Sequence, residues 1–242
     1  MEPIRFRAFP QFNSDQLRRL ARVRARLSEQ GDELFSSDRP ADRLARALTR
    51  SRTISLKELL ESFEFFHRVR RRLRAPVVAD LCCGHGLTGI LFAAYEREVE
   101  RVLLIDREQP PSAARLLDAA CDEAPWIAPK IERSTIKVEH ARDVVPRRAS
   151  LLAVHACGAR TDRCIDVAVA LGSPLAAMPC CYRHTARMAP RALHEGLGAE
   201  LATDVARTYR LEQAGYEVAW SAVPEAITPK NRILVATPRA GR

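Results

Sequence analysis

The sequence lacks the features that mark membrane-spanning, secreted and disulfide-linked proteins. No apolar run reaches the ~18 residues that a transmembrane helix needs. The N-terminal Met-Glu-Pro-Ile-Arg has no apolar core of the kind found in signal peptides. Seven cysteines are present, but several are adjacent or clustered at predicted strand ends, unlike an extracellular disulfide frame. We therefore expect a cytoplasmic protein with reduced thiols and no membrane partner.

Lysine is also scarce, because only four lysines stand against 35 arginines. The net charge of +9 is unevenly distributed: residues 1–75 hold 18 Arg and Lys against 10 Asp and Glu, and the remainder is nearly neutral. A basic segment of this kind indicates a polyanionic partner such as RNA. The alternative is a general arginine bias that places charge on solvated helix faces.

The basic segment is predicted to be helical and separate from the rest of the chain. Apolar residues at helical spacing predict three helices, at 14–29, about 40–50 and about 55–73. Pro76 then precedes the first predicted strand. We therefore predict a helical N-terminal extension at residues 1–75 and a second domain at residues 76–242.

The second domain is organised around the stretch that begins at Val77. Residues 77–81 form a β-branched, apolar run typical of a buried strand, and a Gly-x-Gly-x-x-Gly loop at 84–89 leads into an apolar helix. Glycine lets backbone N–H groups approach a ligand closely. The spacing also fits a dinucleotide site, but the carboxylate of Asp80 favours a cationic, amine-bearing ligand over a pyrophosphate.

Asp80-Leu-Cys-Cys-Gly-His-Gly86 resembles the first motif of class I S-adenosylmethionine (SAM) methyltransferases, in which an acid precedes a glycine-rich loop. Cys82 stands where that motif usually has its first glycine. The resemblance implies a Rossmann-like domain in which Asp80, Cys82, Gly84 and Gly86 contact SAM.

A second buried strand, 101–106, ends in another acid. Asp106 lies 17 residues after Gly89, about where an acid accepts hydrogen bonds from the ribose hydroxyls of an adenosine. Since SAM and NAD both carry that ribose, a nicotinamide oxidoreductase stays open at this point. Residues 134–140 are predicted as the third strand, and the resemblance implies that His140 contacts the adenine.

Two later stretches form a more specific pattern. A strand ending at His155 opens His-Ala-Cys-Gly-Ala-Arg-Thr-Asp, and a fifth strand runs into Pro-Cys-Cys-Tyr at 179–182. In a parallel sheet both segments reach the carboxyl edge, where ligands bind. Together they resemble a methyltransferase branch that includes eukaryotic tRNA ribose methyltransferases acting on the acceptor stem. Tyr182 replaces the histidine that follows the double cysteine in that branch.

Methyl transfer needs positioned reactants and removal of one proton from the acceptor. His155 is the first candidate for a contact with SAM and with the acceptor, directly or through water. Tyr182 and His184 are the next catalytic candidates. The alternative for His155 is a buried histidine bonded to backbone.

Five cysteines are predicted to lie near this edge: Cys82, Cys83, Cys157, Cys180 and Cys181. Adjacent cysteines are poor partners for one tetrahedral ion, and no Cys-x-x-Cys occurs. Free thiols are therefore the expectation, and no metal ligand is predicted.

The last two predicted strands, 216–223 and 231–237, are joined by a loop too short for a crossover helix, so they must be antiparallel. We predict an α/β fold with a Rossmann-like, seven-stranded, mostly parallel sheet that ends in this pair. The predicted function is SAM-dependent methylation, with a tRNA-like RNA as acceptor bound by the N-terminal helices. A small-molecule or protein acceptor, a nicotinamide oxidoreductase and a non-catalytic binding module are the alternatives.

Overall fold

A seven-stranded sheet forms the centre of the computed structural model, which describes residues 3–26, 30–182 and 188–239. The strand order is β3-β2-β1-β4-β5-β7-β6. Strands β1 to β5 are parallel, and β7 runs antiparallel to both β5 and β6. The predicted fold is therefore confirmed. The strands are β1 Val77–Leu81, β2 Arg101–Asp106, β3 Ile131–Thr135, β4 Ser150–Val154, β5 Leu175–Met178, β6 Tyr216–Ala222 and β7 Arg232–Pro238.

Helices cover both faces of the sheet. Within the described residues the α-helices are α1 Asp15–Arg18, α2 Gln30–Leu34, α3 Pro40–Arg50, α4 Leu56–Val69, α5 Leu87–Tyr95, α6 Ala113–Glu123, α7 Arg160–Leu171 and α8 Arg191–Gln213. Short 3-10 helices occur at Pro10–Asn13, Arg19–Arg22, Pro125–Lys130 and Val138–Asp143. No helix in this part of the chain is long and apolar enough to cross a membrane.

The N-terminal helices share a hydrophobic core with the sheet. Phe66 of α4 packs edge-on against Phe92 of α5, with ring centroids 5.0 Å apart. Buried side chains from α3, α4, α5 and β1 belong to one cluster, whereas α7 and β6 contribute to a second cluster. Helix α4 therefore packs directly against the helix that follows the glycine loop.

Helix α4 begins at a complete capping box. The Ser55 hydroxyl accepts from the Glu58 backbone N–H, and the Glu58 carboxylate accepts from the Ser55 backbone N–H. Nine of its 14 residues are buried, including two glutamates, Glu61 and Glu64. A buried carboxylate is costly unless it has a charged or hydrogen-bonding partner, so both glutamates need partners in the interior.

The helix predicted at 14–29 is wrong. The chain is helical only through α1 and Arg19–Arg22, and it is then extended at Val23. The Val23 carbonyl accepts from the Lys57 backbone N–H at 3.1 Å, and Arg26 pairs with Ser55 as an isolated bridge. Tertiary hydrogen bonds to the start of α4 therefore override the helical periodicity. Residues 27–29 lie outside the described residues.

The third strand also lies earlier than predicted. Strand β3 covers 131–135, where Thr135 pairs with Asp106 of β2, and Val138–Asp143 is a 3-10 helix. The predicted span 134–140 was wrong because β3 is an edge strand whose residues alternate weakly between partly buried and exposed. Its apolar pattern is therefore poor.

Candidate active site

Two adjoining cavities lie where β1, β2 and β4 end. The first cavity, of about 300 Å³, is bordered by α4, the glycine loop and the end of β4. The second cavity, of about 260 Å³, extends toward the segment that follows β3. Cys82, Asp106 and Arg160 line both cavities, so the two form one continuous cleft at the carboxyl edge. This is the edge at which parallel α/β sheets bind ligands.

The glycine loop between β1 and α5 is tightly wound. Cys82, Gly84 and Gly86 have φ values of 57°, 52° and 83°, in the left-handed region. A Cβ at Gly86 would lie 2.7 Å from a Leu104 methyl group, so only glycine fits there. Arg133 of β3 donates to the carbonyls of Gly84 and His85 at 3.2 and 3.0 Å, which holds the loop against the sheet.

Two carboxylates border the cleft beside this loop. Asp80, 2% exposed, accepts from the Gly89 backbone N–H at 2.9 Å. Burial raises the pKa of Asp80 to about 7 from its ordinary value of 3.8. Asp106 accepts from the Gly84 backbone N–H at 2.9 Å and lines both cavities. These two acceptor groups suit a ligand with a cationic end near Asp80 and vicinal hydroxyls near Asp106, which are the features of SAM.

His155 closes the first cavity together with an acid from α4. His155 has a φ of 58°, and its Nε2 lies 2.7 Å from Glu61 Oε2. Lys57 Nζ also contacts Glu61 Oε2 at 2.7 Å. Glu61 Oε1 and His155 Nδ1 are buried with no hydrogen-bond partner among the described residues. The pair therefore has hydrogen-bonding capacity left for a ligand.

Burial alone would raise the pKa of Glu61, but the hydrogen bond and charge of His155 and the charge of Lys57 together lower it. Glu61 is thus held as a carboxylate. Sequence reasoning missed this residue. The sequence signal that could have indicated its burial was the density of apolar residues in α4. With so many apolar side chains, the helix has too little exposed surface to hold both Glu61 and Glu64.

Residues 55–188, more than half of the chain, match a family model described as a methyltransferase domain. The chain belongs to this methyltransferase family. The predicted enzyme class, a SAM-dependent methyltransferase, is confirmed by this match, and the class I fold generally uses SAM.

Solved structures with this fold include methyltransferases of low sequence identity. A candidate rRNA methylase from Clostridium thermocellum aligns with a TM-score of 0.52 and 12% identity, over 72% of this chain and 94% of its own. An rRNA methylase from Streptococcus thermophilus aligns with a TM-score of 0.46 and 12% identity, over 71% and 93%. At these identities the likeness concerns the fold alone. No curated protein matches the sequence.

In this methyltransferase Tyr182 faces away from the cleft. Its hydroxyl donates to Asp204 Oδ2 at 2.8 Å, and its ring lies 5.7 Å from the Arg207 guanidinium. Burial raises the pKa of Tyr182 above its ordinary value. Tyr182 is not among the described residues that line the two cavities. His184, the other predicted catalytic candidate, lies outside the described residues.

The methyltransferase does not bring His140 to the cleft. The His140 side chain is 66% exposed and its Nδ1 lies 3.9 Å from Asp143. Lys137, Val138 and Glu139 line the second cavity instead. The turn of 3-10 helix in place of the predicted strand accounts for this shift.

The clustered cysteines separate into two groups. Cys82 and Cys83 line the first cavity. Cys157 Sγ lies 3.0 Å from Cys180 Sγ, which lies 3.6 Å from Cys181 Sγ. The hydrogen bond from Cys180 is the main cause that lowers the pKa of Cys157 to about 5.

Proposed function

We propose that this methyltransferase binds SAM along the whole cleft, with adenosine in the second cavity and the methionine portion in the first. Asp106 would accept from the ribose hydroxyls, and Asp80 would face the cationic methionine end. Because Gly84 and Gly86 carry no side chain, the loop would let the cofactor approach its backbone closely. When bound, the cofactor would supply an electrophilic methyl group on its sulfonium, with the neutral thioether as the leaving group. The continuity of the two cavities at Cys82, Asp106 and Arg160 supports this arrangement most directly.

His155 is then the proposed base for the acceptor. The Glu61 carboxylate would accept a hydrogen bond from Nε2–H of His155, so Nδ1 is the nitrogen proposed to take the proton of the acceptor. Nδ1 has no partner in the described structure. An acid that orients a histidine in this way is a recurrent arrangement in proton-transfer sites. Glu61 is a positioning residue in this proposal.

The acceptor would enter past α4. A third cavity, of about 220 Å³, shares Glu58, Glu61 and His155 with the first cavity. Arg24 and Lys57 also line it. Lys57 is paired with Glu61 and Glu58 also lines this cavity, so Arg24 is the lining cation proposed to meet an anionic group of the acceptor, such as an RNA phosphate.

The arginines available for RNA are fewer than the sequence indicated. Arg68 is buried against Glu64, and Arg70 and Arg74 both pair with Glu96. Arg71 and Arg72 are exposed. We therefore propose Arg24, Arg71 and Arg72 as phosphate contacts. The two motifs at residues 155–162 and 179–182 alone support membership of the tRNA ribose methyltransferase branch. The description of the Clostridium structure as an rRNA methylase applies to the Clostridium protein.

The test is the salt dependence of binding to total tRNA. We would compare the wild type with Arg24→Ala and with the double variant Arg71→Ala/Arg72→Ala. Each lost phosphate contact should weaken binding to all sequences and lower the slope of log K against log salt by about 0.7 to 0.9.

Arg191→Ala is the matched control, because that side chain is 91% exposed on α8 and should leave the slope unchanged. A flat salt dependence of the wild type, or no RNA binding at low salt, would contradict an RNA acceptor. That result would favour a small-molecule or protein acceptor.

A further inference from the structure

Three cysteine sulfurs converge where two neighbouring parallel strands end. Cys157 follows β4 by three residues, and Cys180 and Cys181 follow β5 by two and three residues. The pairing of Val154 with Met178 places these loops side by side. All three Sγ atoms lie within 4.8 Å of one another.

The adjacency of Cys180 and Cys181 is no obstacle to a shared ligand. Alternate residues of a strand point to opposite faces, but β5 ends at Met178, and residues 179–182 are irregular. Both sulfurs therefore reach the same side, 3.6 Å apart. Tetrahedral zinc with Zn–S bonds of about 2.3 Å separates its sulfurs by about 3.8 Å.

We propose that Cys157, Cys180 and Cys181 bind one zinc ion as three thiolates. Thiolates are the ligands that select zinc among the common divalent ions of cells. Every thiol that is still protonated would release its proton on binding, and three thiolates on one Zn²⁺ would leave a centre with a net charge of −1. The Arg160 guanidinium, whose Nε donates to the Cys157 carbonyl at 3.2 Å, lies beside this charge.

The ion would join the loop that carries His155 to the loop that follows β5. Cys157 is two residues from His155, and Cys181 directly precedes Tyr182. Three protein ligands leave one position of a tetrahedral ion for water or another ligand. The zinc would therefore fix the position of the His155 loop relative to β5. This inference does not depend on the identity of the methyl acceptor.

The first measurement is metal content. Protein purified with a non-thiol reductant should contain about one zinc per chain, and Cys157→Ser and Cys180→Ser should each lose most of it. Cys121→Ser is the matched control, since Cys121 lies on α6, which packs against α3 and α5, and its zinc content should equal that of the wild type.

The second measurement uses the unmodified chain, because a serine variant can also lose metal by failing to fold. A chelator should lower the unfolding temperature, and added zinc should restore it. Co²⁺ added to the metal-free wild type should give thiolate-to-cobalt charge-transfer absorption. The proposal is overturned if the wild type binds neither zinc nor Co²⁺, or if zinc persists in the cysteine variants. A Cys157–Cys180 disulfide in protein purified with the reductant would also overturn it.

Discussion

Glu61 Oε2 lies 2.7 Å from His155 Nε2, and this contact joins a helix near the N-terminus to the end of a central strand. Glu61 comes from the segment predicted as a separate basic extension. Ile54, Glu58 and Ser62 from the same segment also line the first cavity. The segment therefore contributes directly to the wall of the cleft. The predicted boundary at residue 75 marks where the basic charge ends, but the site extends across it.

The Glu61–His155 pair gives the first prediction. His155→Ala should slow methyl transfer by about 10²- to 10⁴-fold, the range of general base catalysis. Glu61→Gln should slow it by about 10- to 100-fold, because the neutral amide no longer stabilises the protonated ring. Transfer from labelled SAM to the acceptor is the measurement.

SAM affinity should be nearly unchanged in Glu61→Gln, which separates a positioning role from damage to the cofactor site. His67→Ala is the control, since His67 lies on the same helix but not among the lining residues. Full turnover in His155→Ala would show that the base is elsewhere.

Asp80 gives a prediction about stability. Its pKa is about 7 in the folded protein and 3.8 ordinarily. Protonated Asp80 therefore stabilises the native state fully below about pH 4, and this contribution is lost as the pH rises through 7. Asp80→Asn mimics the protonated form and can still accept from Gly89.

The stability advantage of Asp80→Asn over the wild type should thus be about 1–3 kcal/mol larger at pH 8 than at pH 5, because the contribution is lost between about pH 4 and pH 7. The variant should also bind SAM more weakly, a trade of function for stability. Thermal unfolding of both proteins at the two pH values checks this. A difference that is the same at pH 5 and pH 8 would refute the role of Asp80 ionisation.

A buried ion network behind the cleft gives a third prediction. Arg207, with no exposed side-chain surface, contacts Asp162 at 2.9 Å and Asp204 at 3.3 Å. Asp204 also pairs with Arg232 at 2.8 Å. Arg207→Met should cost about 3–5 kcal/mol, because Asp162 and Asp204 would both lose the buried cation that they share.

That loss corresponds to a fall in the unfolding temperature of about 6–20 °C. Arg210→Met is a control on the same helix, where the side chain is 41% exposed and pairs with Asp166, and it should cost less than about 1 kcal/mol. Equal losses in the two variants would contradict the stabilising role of the network.

The sheet was predictable because its central strands are buried, mostly apolar runs. Asp80 and Asp106 could be placed at the carboxyl edge from the same pattern. The edge strand β3 was misplaced because half-exposed residues leave a weak pattern. The helix predicted at 14–29 ends early although its apolar residues have helical spacing. The Val23 carbonyl accepts a hydrogen bond from the Lys57 backbone N–H, and this tertiary contact holds the chain extended.

Glu61 could not be placed from the sequence because its partner, His155, is 94 residues away. The density of apolar residues in α4 indicates that a glutamate in this helix is buried. Only the fold shows that Glu61 lies against His155 at the end of β4. Likewise, nothing in the spacing of Cys157 and Cys180 indicates a separation of 3.0 Å, since it arises from strand register.

Calorimetric titration with SAM tests the central claim most directly. The wild type should bind SAM, and NAD should give no binding under the same conditions. Asp106→Ala should lose about 1.5–3 kcal/mol, or roughly 10- to 150-fold in affinity, through its ribose contacts. Asp143→Ala, which removes an acid that is 63% exposed, should bind as the wild type does. SAM affinity that is unchanged in Asp106→Ala, or NAD bound more tightly than SAM, would contradict the account.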